Sequence, residues 1–210
     1  IKKKYEQHTY AVMGDAYLAL GQLGQAIEMY SISVSLFPDP EAYNNMAMAY
    51  KTKGDLESAR HYLMRSLYIG ETAEAHNNLG HILLLQGAYR KAIAELKIAA
   101  QIDPSLSGTY INLGLAYKKL REYRKSLNCF QMALLNNKNP NPRSGGRIKA
   151  NLGLIQIQYL LGNSQKSKEI TDHFIRLFIS SNAFNLLISE FDDPDDLFRT
   201  IGDASDILTV

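Results

Sequence analysis

The chain has 210 residues, of which 46% are hydrophobic and 21% charged, and this balance excludes a disordered or fibrous protein. A net charge of +2 argues against a general nucleic-acid binder, because phosphate binding normally requires a strong basic excess. No run approaches the roughly 18 apolar residues of a membrane span, and the N-terminal residues lack the apolar run of a signal peptide. The single cysteine, Cys129, excludes an intrachain disulfide and suits a reducing compartment, which favours the cytoplasm.

Four consecutive segments share one register of small, turn and bulky residues. A small residue recurs at Gly14, Ala47, Gly80 and Gly114. Turn glycines follow at Gly21, Gly54 and Gly87, and bulky residues at Tyr30, Leu63, Leu96 and Phe130. Because the copies are spaced by about 34 residues, we expect each to be one helix-turn-helix unit. The small residues would let the two helices approach, and the bulky ones would fill the space beside them.

This register resembles the tetratricopeptide repeat family, whose pattern is a bulky residue, Leu-Gly, Tyr, a turn Gly, Ala, an aromatic residue, Ala and Pro. The resemblance implies an all-α fold, a right-handed α-solenoid of stacked helix-turn-helix repeats with a concave face formed by the first helix of each repeat. A single pair of such helices cannot bury both of its faces, so at least about three repeats must stack to share a core.

The repeats are predicted at 7–39, 40–72, 73–106 and 107–140, with a fifth, degenerate copy at 147–180. This last copy keeps Gly153 and Gly162 but has Ser167 in place of the usual alanine. Two prolines and two glycines within 136–147 predict a long exposed loop before it. We expect residues 181–210 to form a C-terminal capping helix and an acidic tail.

The resemblance places one asparagine of each later repeat in a row on the concave groove. The row consists of Asn45, Asn78, Asn112 and Asn151. Beside it stand Asn44, Met48, Asn77, His81, Leu115 and Leu154, with the lysines Lys51, Lys118 and Lys119 one turn further. An asparagine can accept from a peptide N–H and donate to a peptide C=O, so such a row could hold an extended chain. The sequence therefore predicts a partner-binding groove.

Energy limits what the asparagine row can do alone. Each hydrogen bond contributes about 0.5–1.5 kcal/mol, whereas micromolar binding needs about 8 kcal/mol. Affinity would have to come from the neighbouring apolar residues and lysines. The alternative is that these asparagines are helix-surface amides without a ligand, since the residue is common at this position in the family. A clamp for acidic peptide tails is not expected, because Glu74 and Asn78 occupy the positions where that clamp needs cations.

The charges are distributed unevenly along the chain. Residues 118–149 include nine basic residues and one acidic residue, and residues 190–210 include seven acidic residues and one basic residue. One hypothesis is that the acidic tail docks on the basic repeat, where it caps the solenoid or competes with an acidic partner. The alternative is that both are solvated faces, because an exposed ion pair contributes only about 0–1 kcal/mol.

The sequence contains no recognisable catalytic or metal-binding motif, such as a P-loop, a nucleophile elbow or H-E-x-x-H. His76 and His81 diverge by about 140° around a helix, which is poor geometry for chelating one metal ion. His76 occupies the bulky position of its repeat and is expected in the core, whereas His81 is expected to line the groove. Cys129 is expected to be an inert thiol. We therefore expect no enzyme activity, no cofactor and no metal.

Together these features predict a non-enzymatic adaptor or scaffold for protein–protein interaction. The predicted partner is an extended or helical segment of another protein, held in the concave groove. The alternative is a structural subunit of a larger assembly, or a homo-oligomer, joined through the convex face or the ends of the solenoid.

Overall fold

The computed structural model describes residues 2–139, 141 and 144–179, and these form helices and short connections. The helices are α1 (Lys2–Ala19), α2 (Leu23–Leu36), α3 (Pro40–Thr52), α4 (Leu56–Ile69), α5 (Ala73–Leu85), α6 (Tyr89–Ile102), α7 (Ser107–Lys119), α8 (Tyr123–Asn136), α9 (Gly145–Leu160) and α10 (Ser164–Ile179). The described residues contain no strand, so the all-α prediction is confirmed. The predicted capping helix and acidic tail at 181–210 lie outside them.

The helices pair in chain order into antiparallel hairpins, each with a first helix (α1, α3, α5, α7, α9) and a second helix. They belong to two compact units, Ile1–Asp103 (unit 1) and Pro104–Val210 (unit 2). Within unit 1, α2 packs on α3 and α4 on α5; within unit 2, α8 packs on α9. Stacked helix-turn-helix repeats are thus confirmed. Among the described helices, none is long and apolar enough to cross a membrane.

The recurring small residue marks the closest approach of the two helices in a hairpin. In unit 1, a Cβ atom on Gly14 would lie 2.6 Å from Cε1 of Tyr30, and one on Gly80 would lie 2.5 Å from Cγ of Leu96. Real Cβ atoms are not found this close to another side chain. Tyr30 and Leu96 are fully buried, so glycine lets the backbone of the first helix rest directly on a large core side chain.

Phe130 makes the same contact twice in unit 2. A Cβ atom on Gly114, in the same hairpin, would lie 2.8 Å from the Phe130 ring, and one on Gly153, in the next hairpin, would lie 2.4 Å from it. The ring is fully buried in a core that includes Ile111 and Ile157. One aromatic side chain therefore spaces both first helices of unit 2.

The turn between the two helices of a hairpin requires a left-handed backbone. Gly21, Gly54, Gly87 and Gly162 occupy this position with φ values of 72°, 88°, 75° and 78°. In the hairpin of α7 and α8 the position is taken by Arg121, with φ of 60°. An L-residue with a Cβ atom is strained in this conformation, so this turn is less favourable than the others.

Serine replaces the usual alanine of the second helix in unit 2 without loss of the close contact. The Oγ of Ser126 donates to the carbonyl of Gly114 over 2.7 Å, and the Oγ of Ser167 donates to the carbonyl of Ile155 over 3.1 Å. Both serines are buried, and both bonds link a second helix to its own first helix. The departure at Ser167 is thus an alternative way of joining the same two helices.

The predicted loop at 136–147 is shorter than expected at its C-terminal end. Helix α9 begins at Gly145, so both glycines lie in its first turn rather than in the loop. The N–H groups of a first turn have no helical partner, and glycine is tolerated there more easily than in mid-helix. Gly146 also lies against the connection, since a Cβ atom there would be 3.2 Å from Nδ2 of Asn137. Both prolines lie outside the described residues.

Candidate functional site

All the predicted groove residues lie on first helices. In unit 1 they are Asn44, Asn45, Met48 and Lys51 on α3, and Asn77, Asn78 and His81 on α5. In unit 2 they are Asn112, Leu115, Lys118 and Lys119 on α7, and Asn151 and Leu154 on α9. Most are partly exposed, as a ligand-binding face requires, but Lys119 is exposed and Leu154 is buried.

Three asparagines of unit 1 form a chain of hydrogen bonds that crosses from one repeat to the next. Asn78 donates from Nδ2 to Oδ1 of Asn44 over 2.9 Å, and Asn44 donates to Oδ1 of Asn45 over 3.3 Å. Asn45 then donates to Oδ1 of Asp15 over 3.0 Å. We call these four residues the amide relay; it joins α5, α3 and α1. Each bond uses one of the two protons of an amide, so part of the predicted row's capacity already serves the packing of the repeats.

Asp15, at the end of the relay, also accepts a hydrogen bond from a buried side chain. The hydroxyl of Tyr30 donates to Oδ1 of Asp15 over 2.6 Å, and Tyr30 is fully buried. Burial, followed by the hydrogen bond and charge of Asp15, raises the pKa of the phenol well above its ordinary value, so Tyr30 remains a neutral donor. Two donors from two helices thus converge on one oxygen and fix the carboxylate.

The predicted groove residues of unit 2 are tied more closely to the core. Leu154 is only 7% exposed and belongs to the cluster around Phe130, and Leu115 packs against that cluster. The Nζ of Lys118 donates to Oε1 of Gln156 over 2.6 Å and joins α7 to α9. These two leucines therefore offer little apolar surface to a ligand.

A cleft of about 610 Å³ opens on the first-helix face of unit 1, between α1 and the start of α3. Its α1 wall includes Tyr5 and Val12, which are 72% and 51% exposed, together with Asp15. Positions 5, 8, 12 and 15 all line it and follow the helical spacing of a single face. We call this site the unit 1 cleft.

The opposite wall begins where α3 starts. Asp39 precedes the helix with an extended backbone and accepts the N–H of Ala42 through Oδ2 over 2.9 Å, as an N-cap does. Pro40 follows at the first helical position, where its missing N–H costs nothing. Glu41 stands in the first turn. This local sequence fixes Asp39 and Glu41 on the rim of the cleft.

Sequence reasoning missed most of this cleft, although the signal was present. Of the predicted groove residues, Asn45 alone lines it. The positions of Asn44, Asn45 and Met48 correspond, one repeat earlier, to Ala11, Val12 and Asp15, and all three line the cleft. Repeat 1 has no asparagine at these positions, so the asparagine row does not extend to it. The repeat register alone places Ala11, Val12 and Asp15 on the same face as the row.

His76 is buried, as expected for a bulky repeat position. It is 6% exposed, and its Nδ1 and Nε2 lie 2.7 Å from Glu95 and 3.1 Å from Glu71. His81 lies on α5 and is partly exposed. Within the described part of the chain, no three His, Cys, Asp or Glu side chains form a group suited to a metal ion.

Comparisons with known sequences match the same family of repeats. The profile "Tetratricopeptide repeat" matches residues 7–40, 40–69 and 107–140, and the profile "TPR repeat" matches residues 80–120. "Tetratricopeptide repeat-containing protein trd-1" from Caenorhabditis elegans is 26% identical over 118 residues, which are 55% of this chain and 14% of that protein. The chain spans less than a third of the length of the curated relatives it matches.

Solved structures share the fold. The solved chain of MamA from residue 41 to its end, from Desulfovibrio magneticus RS-1, is 21% identical with a TM-score of 0.71, and the match covers 84% of this chain and 97% of that one. YrrB, described as a TPR protein with an unusual peptide-binding site, is 17% identical with a TM-score of 0.62, and the match covers 85% of this chain and 87% of YrrB. At these identities the likeness extends to the fold alone.

Proposed function

Because the chain belongs to the tetratricopeptide repeat family, we propose that it is a non-enzymatic protein-interaction adaptor whose first helices bind an extended or helical segment of a partner protein. The observation that carries this proposal is the unit 1 cleft. It lies on the face for which the repeat register predicts a groove, and its α1 wall leaves Tyr5 and Val12 largely exposed. Concave sites with apolar walls and a few fixed polar groups are typical of ligand binding.

The cleft supplies the exposed apolar surface that the asparagine row lacks. Hydrogen bonds from a few amides contribute too little for micromolar binding, and in unit 1 these amides also bond to one another. An exposed tyrosine and valine can be covered by a partner, and aromatic side chains dominate the energetics of many interfaces. The peptide-binding site of YrrB, a protein of the same fold, supports the proposal that this chain also binds a peptide segment.

A second candidate is assembly through the second helices, into a larger complex or a homo-oligomer. It is favoured by α4, where Met64 and Tyr68 are 58% and 87% exposed one turn apart. Such a patch would pack against the folded surface of another protein, or of a second copy of this chain, rather than bind a single segment. The two candidates use different faces and are separable by mutation.

A phage-displayed library of random peptides, selected on the whole chain, tests the proposal. The cleft variant carries Tyr5→Ser and Val12→Ser, and the matched control carries Met64→Ser and Tyr68→Ser. All four residues are exposed, so both variants should keep the helical content measured by circular dichroism.

We expect selected peptides to bind the wild type and the α4 control with equal affinity and to lose binding to the cleft variant. If no selected peptide depends on the cleft, segment binding at this face is wrong. If binding or self-association is lost only in the α4 control, the second helices are the interaction surface.

A further inference from the structure

We infer that the unit 1 cleft receives an arginine or lysine side chain of the partner segment, an inference that rests on the proposed function. The lining carries three carboxylates, Asp15, Asp39 and Glu41, against the basic side chains of Lys4 and His8. Even with both basic groups charged, the cleft remains negative. A cationic group would find a complementary field there, whereas an acidic one would be repelled.

None of the three carboxylates makes an ion pair within the part of the chain that the structure describes. Other surface carboxylates of this protein do so, such as Glu57 with Arg60 and Glu122 with Lys125. Lys4 and His8 line the same cleft without pairing with Asp15, Asp39 or Glu41. The negative charge of the cleft is therefore only partly offset by the protein's own described side chains.

Asp15 is preorganised for such a contact. Tyr30 and Asn45 both donate to its Oδ1, and among the described residues nothing donates to its Oδ2. Because the carboxylate is already fixed, little conformational entropy is lost at this side chain when a ligand binds. Asp39 is similarly fixed by its bond to Ala42, which also uses only one carboxylate oxygen. Each of these groups keeps an acceptor for a charge-assisted hydrogen bond.

The apolar wall explains why an amino-acid side chain, and not a small cation, is the occupant. Arginine and lysine carry an apolar stem below the charged head, and the stem can lie along Ala11 and Val12. The exposed ring of Tyr5 offers a face on which a guanidinium can stack, which favours arginine over lysine. A volume of about 610 Å³ accommodates this side chain with its neighbours in the segment.

The test uses the same peptide library, selected in parallel on the whole wild-type chain and on three variants. Asp15→Asn removes the charge but keeps an oxygen that can accept from Tyr30 and Asn45. Glu41→Gln removes the charge of an exposed residue and should not affect folding. The matched control is Glu74→Gln, because Glu74 occupies the same first-turn position one hairpin later, on α5, outside the cleft.

We expect peptides that depend on the cleft to be enriched in arginine or lysine at one position. Citrulline in place of that arginine should weaken binding about tenfold, as should Asp15→Asn or Glu41→Gln, because a charge-assisted bond is lost. Glu74→Gln should leave the affinity unchanged, and added salt should weaken the wild-type complex.

Cleft-dependent peptides without this enrichment, or enriched in acidic residues, would overturn the inference and leave the proposed function standing. Enrichment that is insensitive to both charge-removing variants would also overturn it, since the cation would then bind elsewhere. If no peptide depends on Tyr5 and Val12, the proposed function fails together with the inference.

Discussion

The ring of Phe130 leaves no space for a methyl group at Gly153, so Gly153→Ala should destabilise unit 2. The added Cβ atom would lie 2.4 Å, 2.5 Å and 2.6 Å from Cζ, Cε1 and Cε2 of the ring. A rigid, fully buried ring cannot bend away as the end of a flexible side chain can, and Phe130 also rests on Gly114. Helix α9 must therefore move away from α8.

The size of the effect follows from two opposing contributions. Overpacking a dense core costs about 1–3 kcal/mol. Alanine in place of a helical glycine contributes about 0.5–1 kcal/mol of stability. Gly108→Ala is the control, because Gly108 lies in helix α7 of the same unit and a Cβ atom there meets nothing within 4 Å. Because Gly108 lies in the first turn of α7, where alanine gains less than it does at the mid-helix Gly153, the difference between the two variants is a lower limit for the steric contribution of about 1–3 kcal/mol.

Urea unfolding followed by circular dichroism measures this difference as a lower midpoint at unchanged slope. In heating experiments each kcal/mol should lower the midpoint temperature by about 2–4 °C for a chain of this length. The same substitution in a Phe130→Leu background should cost less by at least about 0.5 kcal/mol, because the ring that causes the overlap is gone. Equal stability of Gly153→Ala and Gly108→Ala, or an equal cost in both backgrounds, would refute the reasoning.

Two further predictions concern the turn at Arg121 and the buried His76. Arg121→Gly should raise the unfolding free energy, measured by urea titration, by about 1 kcal/mol, because glycine relieves the strain of the left-handed backbone. Gly87→Ala introduces the same strain and should lower the unfolding free energy. A loss of stability in Arg121→Gly would contradict this reasoning. Glu95→Gln should lower the unfolding free energy by about 1–3 kcal/mol and Glu71→Gln by about 0–1 kcal/mol, because the side chain of Glu95 is 27% exposed and that of Glu71 is 68% exposed. Urea titrations measure both, and equal effects would mean that burial does not strengthen the pairing with His76.

The repeat register alone determined which residues bring paired helices together. Gly14, Gly80 and Gly114 were expected to allow close approach, and each lies against the bulky residue assigned to the same hairpin. These pairings are predictable because they depend on volume and on contacts within one hairpin, where helical spacing decides which side chains meet. The buried position of His76 followed from the same register.

Only the tertiary structure decided what the first-helix face presents. The bond between Asn78 and Asn44, and the convergence of Asn45 and Tyr30 on Asp15, join helices from different repeats. Periodicity assigns a residue to a face, but it does not fix the distance to a side chain on the next hairpin. That distance depends on how the hairpins stack, and the packing of α1 beside α3 also forms the unit 1 cleft that Tyr5 and Val12 line.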